Sequence, residues 1–157
     1  HTKVVVLGTG DRGYEDAFRY YENDYRGNLC DNIMYEEGRA HRIYAGADAL
    51  LVPSQFEPCG LTQLIGMHYG TIPIVRETGG LKDTVQPHNE FTHDGNGFTF
   101  DRYDSGLLLD AINRAFYFTN RYCWDEMVQR DMGKNVSWEN SAWQYRNLYL
   151  ELTADKA

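Results

Sequence analysis

Asp48-Ala49-Leu50-Leu51-Val52-Pro53-Ser54-Gln55-Phe56-Glu57-Pro58-Cys59-Gly60-Leu61-Thr62-Gln63, running on through Gly70 to Val75, is the stretch that decides the fold class of this chain. Residues 49–52 form a short apolar run of strand length, with Pro53 and Pro58 bounding the loop behind it. Residues 61–69 suit a helix that stops at Gly70, and residues 71–75 return as a strand. Residues 3–7 read in the same way as a buried strand, followed by a glycine turn through Gly8, Gly10 and Gly13. Tyr14, Phe18, Tyr21 and Tyr25 then recur at helical spacing. Residues 29–34 suit a second strand and 36–45 a helix. This βαβαβαβ series predicts an α/β fold, a parallel sheet covered by helices on both faces. Residues 76–80 read as a loop and 86–96 as a polar, mobile segment, and residues 97–100 add a last strand. Residues 105–118, 122–134 and 138–152 read as three consecutive helices. The expectation is one domain over residues 1–157, with a helical tail from about 104 to 157.

Composition narrows the function classes. A chain of 157 residues with 42% hydrophobic residues and four prolines is long and apolar enough to bury a core. Its net charge of −8 opposes non-specific binding to nucleic acid or anionic membranes. No apolar run approaches the roughly 20 residues that span a bilayer. Cys30, Cys59 and Cys123 are odd in number and scattered, which favours reduced thiols in a cytoplasm over a disulfide framework or a zinc ribbon. The abrupt start at His1 suggests a domain cut from a longer protein at its N-terminal edge, with His1 itself a possible tag remnant.

Three motifs follow strands. Gly8-Thr9-Gly10-Asp11-Arg12-Gly13 spells the GxGxxG of dinucleotide-binding turns, and Asp31 lies near the distance of a ribose-binding acid. Asp11, however, would repel a pyrophosphate, and a tight strand-to-helix turn needs the same glycines. In the second motif the amides of Gly60, Leu61 and Thr62 point out of a helix N-terminus, where amides and helix dipole together stabilise phosphate. Glu57 stands ahead of them, able to accept hydrogen bonds from sugar hydroxyls. The plainer reading is that Glu57 caps the helix and Cys59 packs, and the residues alone leave both open. The third motif, Arg76-Glu77-Thr78-Gly79-Gly80-Leu81, offers open amides beside the same sheet edge. Arg76 either adds positive charge there or pairs with Glu77 on the surface.

Ala40-His41-Arg42-Ile43-Tyr44-Ala45-Gly46-Ala47-Asp48, the Glu57-Pro58-Cys59-Gly60-Leu61-Thr62-Gln63 stretch and Thr78-Gly79-Gly80-Leu81-Lys82-Asp83-Thr84-Val85 closely resemble bacterial glycogen synthases and plant starch synthases. The resemblance extends from Leu7-Gly8-Thr9-Gly10-Asp11 to Ser137-Trp138 and settles the open choice at Glu57 towards function. It implies the C-terminal, Rossmann-like, nucleotide-sugar-binding domain of a two-domain GT-B enzyme. The implied reaction moves glucose from ADP-glucose or UDP-glucose to the non-reducing end of an α-1,4-glucan with retention, without cofactor or metal.

By resemblance, Tyr35 stacks on the nucleobase and Glu57 interacts with the donor glucose. The amides of Gly60, Leu61 and Thr62 hold the distal phosphate, Cys59 beside them counts among the substrate-binding residues, and Thr78, Gly79 and Gly80 form a second donor loop. The departures are as informative. Ile65 stands where the broader GT-B pattern has a second Glu, so a two-carboxylate mechanism on that spacing is excluded. Gln55 replaces an Arg and Met34 a Gly of many relatives.

The family's phosphate-binding Arg and Lys, and the Lys-x-Gly-Gly-Leu loop of its N-terminal domain, are not in this sequence. The fragment alone is therefore expected to transfer no glucose, its partner being that N-terminal domain. Two other classes remain: an NAD-binding oxidoreductase domain built on residues 8–13, and a non-catalytic glucan-binding module using Trp138 and Trp143. Trp124, Trp138 and Trp143 are otherwise expected to pack in the helical tail. His88 and His93, with Asp94 beside them, are expected to be an exposed pair without metal.

Overall fold

A computed structural model describes residues 2–154. Its order is β1 (Val4–Leu7), α1 (Arg12–Asp24), β2 (Leu29–Asn32), α2 (Glu37–Gly46), β3 (Ala49–Val52), α3 (Thr62–His68), β4 (Ile72–Arg76), α4 (Gly79–Thr84), β5 (Phe98–Phe100), α5 (Ser105–Phe118), α6 (Tyr122–Met132) and α7 (Trp138–Ala154). All strand pairing is parallel, β1 with β2 and β3-β4-β5 in that order. The α/β class read from the apolar runs is the class observed. The chain divides into two compact units, His1–Ala47 and Asp48–Ala157.

In the first unit, β1 pairs in register with β2 from Val4 against Leu29 to Leu7 against Asn32. The residues 3–7 strand was expected to be buried, yet Val4 and Val5 are 41% and 47% exposed. Two strands offer too little area to cover an apolar run. The glycine turn before α1 is closed by the chain's own acids. Asp11 is the N-cap of α1 and accepts from the Gly13 amide at 2.8 Å, and Glu15 accepts from the Gly10 amide at 2.9 Å. Amides that a pyrophosphate would need are thus spent on carboxylates, as a structural turn requires. Glu36 caps α2 in the same manner, accepting from the Arg39 amide at 2.9 Å.

The second unit holds the core. Side chains alternate across β4, so Ile72 and Ile74 face one side and Val75 the other. Ile72 and Ile74 join Phe98, Phe100, Ala111, Ala115, Phe118, Cys123, Trp124 and Met127 in one cluster. Val75 joins Val52, Leu81 and Val85 in a second. Helices therefore cover both faces of this sheet, as the near-continuous apolar strands predict.

Two further expectations need correction. Trp124 packs at 6% exposure, but Trp138 and Trp143 are 88% and 54% exposed on α7, which has no buried residue. Its apolar residues have no covering element, so helix periodicity alone does not bury them. The 76–80 loop is also shorter than read, because Gly79 and Gly80 open α4. No helix among the described residues is long and apolar enough to cross a membrane.

Candidate functional site

The loops that follow β3 and β4 leave the sheet at the carboxyl ends of adjacent parallel strands, where α/β folds place ligand crevices. They interlock through their backbones. A Cβ on Gly79 would lie 1.9 Å from the Glu57 carbonyl oxygen, and one on Gly80 1.6 Å from that of Cys59. Only glycine permits this approach, and Gly79 also has a left-handed φ of 45°. Arg76 ties the loops a second time, donating from Nε to the Ser54 carbonyl at 2.7 Å and from Nη2 to the Gln55 carbonyl. The simple Arg76–Glu77 surface pair is not formed. Glu77 instead accepts from the Thr99 hydroxyl at 2.7 Å.

Glu57 is half-buried, and its carboxylate accepts from the Ser54 hydroxyl at 3.3 Å, with no ion-pair partner among the described residues. It does not cap α3. The N-cap is Leu61, without a side-chain hydrogen bond, and Thr78 at the head of α4 likewise lacks one. Asp11, Glu36 and Asp104 do cap α1, α2 and α5 with their side chains. Cys59 is an exposed free thiol, so the packing role does not apply to it. Gly60 is buried at φ 69°, Leu61 is exposed and Thr62 half-buried as the first residue of α3.

The second unit thus gathers Glu57, Cys59, Gly60, Leu61, Thr62, Thr78, Gly79 and Gly80 at one sheet edge. Tyr35 belongs to the first unit, in the turn between β2 and α2, with its ring 87% exposed.

Sequence reasoning missed Gln63. Fully buried, it donates from Nε2 to the Gly60 carbonyl at 2.7 Å and to the Thr84 hydroxyl at 2.9 Å, clamping the start of α3 to the end of α4. A buried amide behind a glycine loop was the available signal, since its donors must be satisfied somewhere. The exposed histidine pair needs correction too. His93 is exposed, but His88 is half-buried against Phe98 and Phe118, because strand β5 and helix α5 wall it in.

The profile of the family described as "Glycosyl transferases group 1" matches residues 2–121. The chain belongs to that family. Among its relatives, the glycogen synthase of Clostridium kluyveri is 51% identical over 153 residues, 97% of this chain and 32% of that protein. The glycogen synthase of Lachnospira eligens is 49% identical over 152 residues, 96% of this chain and again 32% of that protein. The chain therefore spans about a third of the length of the curated relatives it matches. A solved structure, the catalytic domain of Starch Synthase IV from Arabidopsis thaliana bound to ADP and acarbose, superposes with a TM-score of 0.83. It is 36% identical and covers 95% of this chain and 32% of its own. The parallel α/β architecture is accordingly that of a GT-B glycosyltransferase domain.

Proposed function

We propose that this chain supplies the nucleotide-sugar-binding surface of a bacterial, cytoplasmic glycogen or starch synthase. The intact enzyme transfers glucose from ADP-glucose or UDP-glucose to the non-reducing 4-hydroxyl of an α-1,4-glucan with retention. The observation that carries the reading is the backbone interlock of Gly79 and Gly80 with Glu57 and Cys59, which brings two ligand-type loops to one sheet edge. Identity near one half to glycogen synthases, and likeness to a starch synthase bound to ADP, support it.

In this reading the amides of Gly60, Leu61 and Thr62, with Cys59 beside them, hold the distal phosphate, and developing negative charge on the leaving diphosphate is stabilised there. Thr78, Gly79 and Gly80 back the same loop. Glu57, with no ion-pair partner among the described residues, accepts hydrogen bonds from the glucose hydroxyls and favours the positive charge that builds at the anomeric carbon. It orients and does not attack. The exposed face of Tyr35 stacks on the base, which accepts adenine or uracil alike. Ile65 offers no second carboxylate, so departure of the diphosphate and attack on the same face replace a double displacement.

Residues 1–157 form the C-terminal domain of this enzyme in the proposal, with an N-terminal domain completing the cleft. Calorimetric titration with ADP, UDP and NAD tests the binding claim: a nucleoside diphosphate must bind better than NAD, and Tyr35→Ala must weaken it. Fusing residues 1–157 behind the N-terminal portion of the Clostridium kluyveri enzyme tests the reaction. The fusion must elongate glycogen from ADP-glucose, Glu57→Gln must lower kcat by about 100-fold or more, and residues 1–157 alone must be inactive. Equal activity in the Glu57→Gln fusion would refute the assigned role.

A second reading draws on the exposure of Trp138 and Trp143, which suits a glucan-contacting surface on α7. It predicts that the isolated chain is retained on glycogen and that Trp138→Ala releases it.

A further inference from the structure

Away from that edge, His88 is held in an environment that its chemistry does not explain. Its backbone amide donates to the Gly97 carbonyl at 2.8 Å, beside a parallel bridge between Pro87 and Gly97. Its ring lies edge-on to Phe118 with centroids 4.7 Å apart and against Phe98 at 5.7 Å. Both ring nitrogens are buried without a hydrogen-bond partner. A neutral imidazole carries one donor and one acceptor, and protonation would add a second donor; the Asp94 backbone lies close enough to act on one nitrogen, and neither tautomer has both positions satisfied by protein.

Two further ligand groups converge there. The donor atoms of His88, His93 and Cys123 all lie within 4.8 Å of one another. Cys123 is buried in the first turn of α6. The His88 and His93 rings are within 16° of parallel with centroids 5.9 Å apart, too far for face-to-face contact. Two imidazoles on one tetrahedral metal, with bonds of about 2.0–2.1 Å, would have centroids about 5 Å apart. His93 is also the single non-glycine residue with positive φ, at 60°, among the described residues. Its turn is tied down by His93 amide to Asn89 carbonyl at 2.8 Å and Asn89 amide to Asp94 carbonyl at 2.9 Å. Such strain is retained where the surroundings hold it for a purpose.

We infer that His88, His93 and Cys123 form a binding site for a borderline-soft divalent cation of the zinc type, which fastens the 87–97 loop to the first turn of α6. Imidazole and thiolate are the ligands zinc prefers, and neither magnesium nor calcium takes such a set. Cys123 binds as the thiolate and releases its proton to solvent. Solvent fills the fourth position on the side of exposed His93. Donor separations of about 3.3–3.8 Å in a tetrahedral site require an approach of about 1 Å, which the surface loop supplies through His93.

The charged groups around the cluster are mixed. Arg130 on α6 donates to the His93 carbonyl at 3.0 Å, and Glu90 of the loop opposes its charge. Burial, then His93, then Arg130 lower the His88 pKa, against the opposite pull of the Asp94 backbone and Glu90.

The test is titration of the chelator-treated, reduced chain with Zn²⁺ and with Co²⁺. One equivalent of Zn²⁺ must bind with micromolar or better affinity and raise Tm, and Co²⁺ must show thiolate-to-metal charge transfer. His93→Asn removes an imidazole yet keeps a residue that tolerates the left-handed backbone. It must weaken Zn²⁺ binding on the order of 100-fold while the metal-free Tm stays near that of the parent. Cys123→Ala must abolish the charge-transfer band. Should that buried substitution fail to fold, the parent Co²⁺ spectrum and His93→Asn decide between them. Binding no tighter than millimolar, unchanged affinity in His93→Asn, or Co²⁺ binding without thiolate absorption would each overturn the site.

Discussion

Asp131 offers a sharp quantitative test of the packing. It sits on α6 at 2% exposure, and neither carboxylate oxygen has a hydrogen-bond partner. The neighbouring Asn96 amide is committed to the Thr84 carbonyl at 3.0 Å and to the Met67 sulfur at 3.3 Å. Burial raises the Asp131 pKa from 3.8 to about 7, with the charges of Lys134 and Arg130 and the proximity of Asn96 pulling weakly the other way. The folded chain therefore holds a proton that the unfolded chain has lost between those two values. Stability from this group is complete below the unfolded pKa, falls as pH rises from about 4 to about 7, and is flat above. A rise of about 3 units at about 1.4 kcal/mol each sets a ceiling near 4 kcal/mol.

Asp131→Asn keeps the shape and cannot ionise. Local relaxation reduces the ceiling, so the expected gain over the parent is about 1–3 kcal/mol at pH 8 and about a quarter of that at pH 4.5. Urea unfolding of both chains at the two pH values measures it. The decisive quantity is the difference between the two gains, which cancels any pH-independent cost of the amide. An equal effect at both pH values, or a greater loss at pH 8, would refute the account.

Three other outcomes follow from named contacts. Gly80→Ala drives a methyl group into the Cys59 carbonyl and should cost about 2–4 kcal/mol in urea unfolding, while Gly10→Ala, with nothing within 4 Å of the added carbon, should stay within about 0.5 kcal/mol. Asp11→Ala removes the cap of α1 and should cost about 1 kcal/mol, with faster amide exchange at Gly13. Arg76→Lys preserves charge but cannot reach both the Ser54 and Gln55 carbonyls, so it should cost about 1–2 kcal/mol. ADP affinity should fall with it, as calorimetry would record.

Strands β3 and β4 were legible because each is a local apolar run. Ala49–Val52 and Ile72–Arg76 differ from the expected bounds by a residue at most. Helix α4 was not legible. It has six residues and opens on two glycines, the poorest helix formers after proline, and it is held by Leu81 and Val85, which are buried across the loop. At the site, the glycine loops and Glu57 could be read as ligand-type sequence, but the partners of Arg76 lie more than twenty residues upstream. Its adjacent Glu77 was the misleading neighbour. Cys123 posed the same problem, since no spacing rule links it to a histidine pair thirty residues earlier. The exposure of Val4 and Trp138 was hidden for a different reason: hydrophobicity says a side chain prefers cover and not whether cover is present.

The interlock of Gly79 and Gly80 with the Glu57–Cys59 backbone has an entropic consequence. With Arg76 and Gln63 also bridging the segments, the two loops are stiffened before any ligand arrives. A ligand seated there need not bring a wandering segment to order, so little of its binding free energy is lost to loop conformational entropy. Selectivity among ligands must then arise from what fits a fixed frame.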